Sequence, residues 1–168
     1  KNVYKLPCVV AVNKFPSDTQ AEIDLVINKV KELGINVILS TVWENGGKGG
    51  VDLANKVVEL CEEKNNFSFS YDVNDSIEKK ILDVTQKIYG GKDIDLSSAA
   101  KKSIEKINEM GLSKLPICIA KTQYSFSDNP TLLGAPTDFT VTVRFDVIPN
   151  SDNFVLPVIE VLTVLVVL

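Results

Sequence analysis

Residues 8–12 (CVVAV) form a continuous apolar, β-branched run, the pattern of a strand covered on both faces in a parallel sheet. A polar loop, 13–18, follows. Thr19, Gln20, Ala21 and Glu22 make a capping-box sequence, after which Ile23, Val26, Ile27, Val30 and Leu33 recur at helical spacing until Gly34 supplies the stop. A second short apolar run at 36–39 predicts another strand, and 40–50 reads as a loop. Residues 51–63 predict a helix with Leu53, Val57, Leu60 and Cys61 on one side. Strand, helix, strand, helix at these spacings is a βαβα arrangement. It predicts an α/β fold whose loops after the strands converge at the carboxyl edge of a parallel sheet, where open α/β folds place their ligands.

Residues 65–72 (NNFSFSYD) show neither period and read as a crossing between domains, so a boundary is expected near residue 70, giving domains 1–69 and 70–168. Beyond it, Ile77, Ile81, Val84 and Ile88 predict an amphipathic helix closed by Gly90 and Gly91, and 98–110 predict a second closed by Gly111. A strand is expected at 115–120 and another at 139–145, where apolar and polar residues alternate. The stretch between, 121–138, has turn signals at 128–130 and 134–136 and reads as a long loop of the kind that tends to carry function. The charged runs Glu78, Lys79, Lys80 and Lys101, Lys102 are expected to be solvated helix faces. The second half therefore reads as α+β with its own small core. The tail 154–168 is almost wholly apolar, but it is shorter than the ~20 residues a spanning helix needs and is interrupted by Pro157 and Glu160, so a buried strand pair is expected rather than a membrane span.

Composition narrows the chemistry. With 168 residues the chain accommodates one domain or parts of two, and 45% apolar with 24% charged residues marks a folded protein. A net charge of -4, with lysines interspersed among carboxylates, gives no footprint for a nucleic-acid partner. There is no histidine, which removes histidine acid/base catalysis, Ser-His triads and the commonest metal ligand together, and no metal is expected. Cys8, Cys61 and Cys118 lie apart inside apolar runs, read as small buried hydrophobes in a reducing compartment. The chain opens on Lys1 with a buried-type strand a few residues later, and the expectation is a piece of a longer protein.

Three features carry candidate chemistry. Gly46, Gly47, Lys48, Gly49 and Gly50 stand between a strand and a helix, where amides and Lys48 can hold an anion or where glycines simply allow a tight turn. Gly49 after Lys48, in place of Ser or Thr, and the missing four-residue spacer separate this run from a P-loop. Phe15 and Trp43 sit in two loops that a βαβ unit brings to one edge, as a clamp for a flat heterocycle or, alternatively, as a loop anchor and a core plug. Lys121, Thr122, Gln123, Tyr124 and Ser125 follow a strand and read either as a ligand loop or as a solvated strand exit.

Residues 10–19 (VAVNKFPSDT), Trp43 followed by the Gly-Gly-Lys-Gly-Gly run, 115–125 (LPICIAKTQYS) and 133–136 (LGAP) together resemble formate-tetrahydrofolate ligase in order and spacing, from about Val3 to Arg144. The resemblance implies a reaction in which ATP phosphorylates formate and a nitrogen of tetrahydrofolate attacks the resulting formyl phosphate. It implies an aromatic pair that sandwiches the pterin ring, at positions matching Phe15 and Trp43. Asn13, Pro16, Lys48, Lys121 and Thr122 are the further candidate ligand contacts. Residues 1–69 would be the later part of a P-loop-type parallel α/β domain and 70–168 a smaller α+β C-terminal domain. The P-loop and the basic residues that hold formyl phosphate would lie in an N-terminal portion outside this chain, with ATP and its magnesium bound mainly there. A homo-oligomer and a cytoplasmic location, with the mitochondrion as alternative, are further implications, and the piece alone is expected to be inactive. After Arg144 the family usually continues through a Gly-rich turn to a Met-Pro-Gly-Leu-Pro segment, whereas this chain reads Pro149, Asn150, Ser151, Asp152, Asn153, so no functional residue is carried over beyond Arg144. The alternative from another class is a non-catalytic folate- or nucleotide-binding module, or a structural assembly domain. A P-loop elsewhere in the source protein would distinguish the two.

Overall fold

Strand β1 (Val9–Asn13) is an uninterrupted apolar run up to its last residue, and the chain crosses through helix α1 (Gln20–Glu32) to β2 (Asn36–Ser40), which pairs with β1 in parallel, Val9 opposite Asn36 through Asn13 opposite Ser40. The computed structural model describes residues 1–121, 125–146 and 158–161. These fall into two units, Lys1–Ser68 and Phe69–Leu168.

The capping box predicted for α1 is present. The Thr19 hydroxyl accepts from the Glu22 N–H at 3.3 Å while the Glu22 carboxylate accepts from the Thr19 N–H at 2.9 Å. The Thr19 backbone N–H, then its hydroxyl, hold the Glu22 carboxyl below its ordinary range. Gly34 ends the helix at φ +65°, the left-handed geometry a side chain would strain. The segment 40–50, read from sequence as a loop, is instead a short helix α2 (Val42–Asn45) running into a 3-10 turn (Gly46–Gly50) and then α3 (Val51–Cys61). Burial of the strands falls short of the expectation that both faces would be covered. Val9, Val10 and Val12 are half-buried and Ala11 is exposed, because a platform of two strands is too narrow for α1 and α3 to enclose. In this unit the buried residues are Ile23, Ser40 and Leu60.

The second unit begins with α4 (Ile77–Lys87), β3 (Asp93–Leu96) and α5 (Ser98–Glu109), followed by β4 (Cys118–Lys121), β5 (Thr140–Asp146) and β6 (Val158–Val161). Its sheet runs β3-β5-β6-β4, with β3/β5 and β4/β6 parallel and β5/β6 antiparallel. Helices α4 and α5 flank β3 in sequence, and β4, β5 and β6 follow with no helix between them among the described residues, giving a sheet of mixed direction. The strand β3 was not expected: four residues reading Asp-Ile-Asp-Leu are too short and too acidic to stand out. Of the apolar tail, the described part is β6, and the rest of the expected strand pair lies outside the described residues. Ile77, Ile81, Ala100, Ile104 and Ile107 from the helices pack on Val141 and Val143 of β5 with Phe139 and Tyr89 to form the core. Among the described residues no helix is long and apolar enough to cross a membrane.

Two expectations about polar side chains are corrected. Lys80, read as solvated surface, is fully buried, and its Nζ donates to the backbone carbonyls of Ser113 at 2.7 Å and Leu115 at 3.0 Å. Position 80 falls three residues after Ile77 and one before Ile81, on the core face, so the helical period itself carried the signal. The cysteines also differ from expectation. Cys8 is half-buried, but Cys61 at the end of α3 and Cys118 at the start of β4 are exposed free thiols.

Asp83 is buried between Lys79 and Lys87, one turn away on either side, and each ammonium donates to one of its carboxylate oxygens, Lys87 at 3.0 Å. Burial alone pushes the Asp83 carboxyl up, but the hydrogen bonds from Lys79 and Lys87, with their charges, outweigh it and the net pKa lies below the ordinary 3.8. A carboxyl whose folded pKa is depressed contributes stability that is fully present above its unfolded value and is lost as pH falls through its folded value. Asp83→Asn is therefore expected to cost ~1–2 kcal/mol at neutral pH, with the gap between variant and parent closing below about pH 4. Urea unfolding followed from pH 7 to pH 3 measures both curves, and a gap that persists at the acid end would assign Asp83 to packing alone.

Thr85 presents the opposite case. Its Oγ1 is buried with no hydrogen-bond partner among the described residues. Valine keeps the shape and removes the orphaned hydroxyl, so Thr85→Val is expected to stabilise the protein by ~1 kcal/mol, seen as a rise of roughly 4–8 °C in Tm. A fall in Tm would show that the hydroxyl has a partner, such as an ordered water.

Candidate functional site

Because β1 and β2 are parallel, the segments that leave their C-terminal ends emerge at the same edge of the sheet. The first carries Phe15. The Lys14 N–H donates to the Ser40 carbonyl at 2.9 Å, extending the ladder one residue past β1, and the chain then turns at Phe15-Pro16-Ser17-Asp18. The Asp18 N–H donates to the Phe15 carbonyl at 3.0 Å and the Asp18 carboxylate accepts from the Phe15 N–H at 2.7 Å, so both backbone polar groups of Phe15 are engaged. Pro16 stands at the second position of this turn, where its ring fixes φ and holds Phe15 extended.

The second segment carries Trp43 on α2. The Thr41 carbonyl accepts from the N–H groups of Glu44 at 3.1 Å and Asn45 at 2.8 Å, and the Asn45 amide donates to the Thr41 hydroxyl at 3.1 Å. The chain then doubles back until the Thr41 N–H donates to the Gly49 carbonyl at 3.2 Å. A Cβ at Gly49 would sit 2.5 Å from the Thr41 carbonyl atoms, and Gly46 has φ +56°, so these two glycines are required by close approach and by backbone conformation. Between them Lys48 is exposed and makes no ion pair among the described residues.

The Phe15 and Trp43 rings meet with centroids 6.2 Å apart and planes inclined by 55°, within the range of favourable tilted aromatic pairs. Phe15 is 45% and Trp43 64% exposed, so Trp43 is not a core plug. Asn13 ends β1 opposite the buried Ser40, and the side chains of Asn13 and Pro16 are exposed beside this ring pair in sequence. Lys121 closes β4 in the second unit, and Thr122 lies outside the described residues. Among the described residues no three His, Cys, Asp or Glu side chains converge as a metal-holding group. The chain, compared with known families, matches the family model of formate--tetrahydrofolate ligase over residues 1–165. It belongs to that family. The match runs past Arg144, through the segment where the sequence motifs depart from the usual family pattern. Membership in the formate--tetrahydrofolate ligase family implies a ligase acting on formate and tetrahydrofolate, with ATP as the energy source.

What sequence reasoning missed is the device that holds each ring. The Asp18 carboxylate on the Phe15 N–H was legible in principle, since Asp side chains bond backbone groups three residues back along the chain. The return of Gly49 onto Thr41 depends on a contact eight residues away and leaves no mark beyond the glycine itself.

Proposed function

We propose that this chain carries the folate side of a formate-tetrahydrofolate ligase site, with Phe15 and Trp43 sandwiching the pterin ring. The observation that supports this most directly is the solvent-open ring pair at the carboxyl edge of a parallel sheet, in a chain of this family. In the structure the two rings touch each other and leave no slot. A flat heterocycle between them needs ~3.5 Å on each face, hence a centroid separation of about 7 Å with parallel planes. Binding therefore replaces the tilted ring contact by two stacked ones, a rotation that partly exposed side chains can make.

In this reading Lys48 meets an anionic group of the folate, and Asn13 and Pro16 shape the rim. Lys121 and Thr122 are ligand contacts proposed on the family likeness alone, apart from the ring pair. The reaction runs through formyl phosphate, and ATP with its magnesium binds mainly on an N-terminal portion that precedes these residues in the complete, homo-oligomeric enzyme. This chain's own groups bind and orient the nucleophile, excluding water from both faces of the pterin.

Trp43 is the single tryptophan, which makes the test direct. Titration with tetrahydrofolate, corrected for absorbance, is expected to quench Trp43 emission saturably in the parent, and Phe15→Ala is expected to weaken that binding. Quenching that never saturates, or saturates identically in Phe15→Ala, would overturn the clamp.

A further inference from the structure

The second unit holds a cleft of about 620 Å³ lined by Phe69, Ser70, Tyr71, Asp72, Val73, Lys87 and Pro116, well inside the ~300–1,000 Å³ range of small-molecule sites. Its walls are tied together. The Tyr71 hydroxyl accepts from the Ile117 N–H at 3.1 Å, linking the 69–73 segment to the chain that enters β4, and Lys87 Nζ donates to the Ser70 carbonyl at 2.6 Å, linking the same segment to α4. The apolar lining is open to solvent, with Phe69 at 79% and Val73 at 40% exposure.

Charge then selects the ligand. Lys79 and Lys87 share the one carboxylate of Asp83, so this stretch of α4 has two ammonium groups for a single anion. Lys87 gives one N–H to Ser70, one to Asp83, and has a third with no acceptor among the described residues, on a side chain that lines the cleft. Asp72 on the wall accepts from the Asn74 N–H at 2.9 Å and the Asn74 side-chain amide at 3.0 Å within its own turn, and among the described residues it makes no ion pair with Lys87. We propose that this cleft binds a small aromatic acid, its ring against Phe69, Val73 and Pro116 and its carboxylate on the free N–H of Lys87. The residues are separate from Phe15 and Trp43, and the inference stands independently of the folate clamp.

Isothermal titration of the full chain with 2-naphthoate, and in parallel with the uncharged 2-naphthalenemethanol, tests it. The parent is expected to bind one naphthoate and to prefer it over the alcohol. Lys87→Met keeps the methylenes but removes the charge and the tie to Ser70, so it is expected to weaken naphthoate about tenfold or more and the alcohol by much less. Phe69→Ser, at a largely exposed position, is expected to weaken both ligands, with circular dichroism to show that the variant folds. Lys79→Met breaks the other ion pair of Asp83 without touching the cleft and is expected to leave both. No saturable binding up to roughly 5 mM, equal affinity for acid and alcohol, indifference to both Lys87→Met and Phe69→Ser, or loss of binding in Trp43→Ala would each overturn the proposal.

Discussion

Lys80→Met is expected to destabilise the second unit by roughly 2–4 kcal/mol, lowering its Tm by about 10–25 °C. The ammonium is fully buried and donates to two backbone carbonyls, Ser113 and Leu115, in the segment that joins α5 to β4. Methionine fills nearly the same volume but leaves both carbonyls without that donor. Each orphaned acceptor costs ~1–3 kcal/mol, more when the lost bond was to a charge, and the relief from no longer burying a cation offsets part of the sum. Burial is also what lowers the Lys80 pKa below the ordinary 10.5, with Asp75 and then Asp72 pulling it back up. A lysine depressed in the folded state opposes folding while it is charged, and that opposition fades as pH rises from its folded pKa towards 10.5. The parent should therefore gain relative to Lys80→Met over that alkaline window, provided the carbonyls still accept from the neutral amine. Lys79→Met, one residue earlier but half-exposed, should cost under ~1 kcal/mol. Urea midpoints for the two variants decide the matter. If Lys80→Met matched or exceeded the parent, desolvation would dominate and the buried charge would be a liability rather than a pin.

The same residue shows where reading the sequence stops. Helix α4 was legible because Ile77, Ile81 and Val84 recur with the helical period, and the structure adds a cap, the Ser76 hydroxyl accepting from the Lys79 N–H. Lys80 lies on that apolar stripe, yet its partners come from residues 113 and 115, more than thirty positions away, and no local pattern announces them. The βαβ unit was legible for a related reason. A parallel pair joined by one amphipathic helix is set by short-range periodicity, so β1, α1 and β2 fall within a residue or so of expectation. The sheet of the second unit was not legible, because β5 takes β3 on one edge in parallel and β6 on the other in antiparallel, choices that depend on the whole unit. At the candidate site, Phe15 and Trp43 could be placed at one edge from chain order alone. Their tilt of 55° and their direct contact follow from the turns beneath them, which the sequence shows only as Pro16, Asp18 and a run of glycines.

On the proposed reading, Trp43→Ala is expected to raise the tetrahydrofolate constant of the active enzyme roughly tenfold to a hundredfold, equivalent to ~1–3 kcal/mol, while the ATP constant barely moves. On the proposed reading the indole covers one face of the pterin and nothing else, since phosphate binding is built elsewhere in the enzyme. Truncation removes that stacked face and its buried area but leaves Phe15 on the other side, which limits the loss. Stability should change little, because Trp43 is 64% exposed and α2 is fixed by Thr41, Asn45 and Gly49 rather than by the indole. Trp43→Phe keeps a ring on the same short helix and is expected to recover most of the affinity, within about fivefold of the parent. Steady-state kinetics with each substrate varied in turn separate the two constants, with circular dichroism to show that the variants fold. An equal loss for folate and ATP would mean that Trp43 sustains the local scaffold, and recovery by Trp43→Leu as complete as by Trp43→Phe would reduce its role to apolar bulk without stacking.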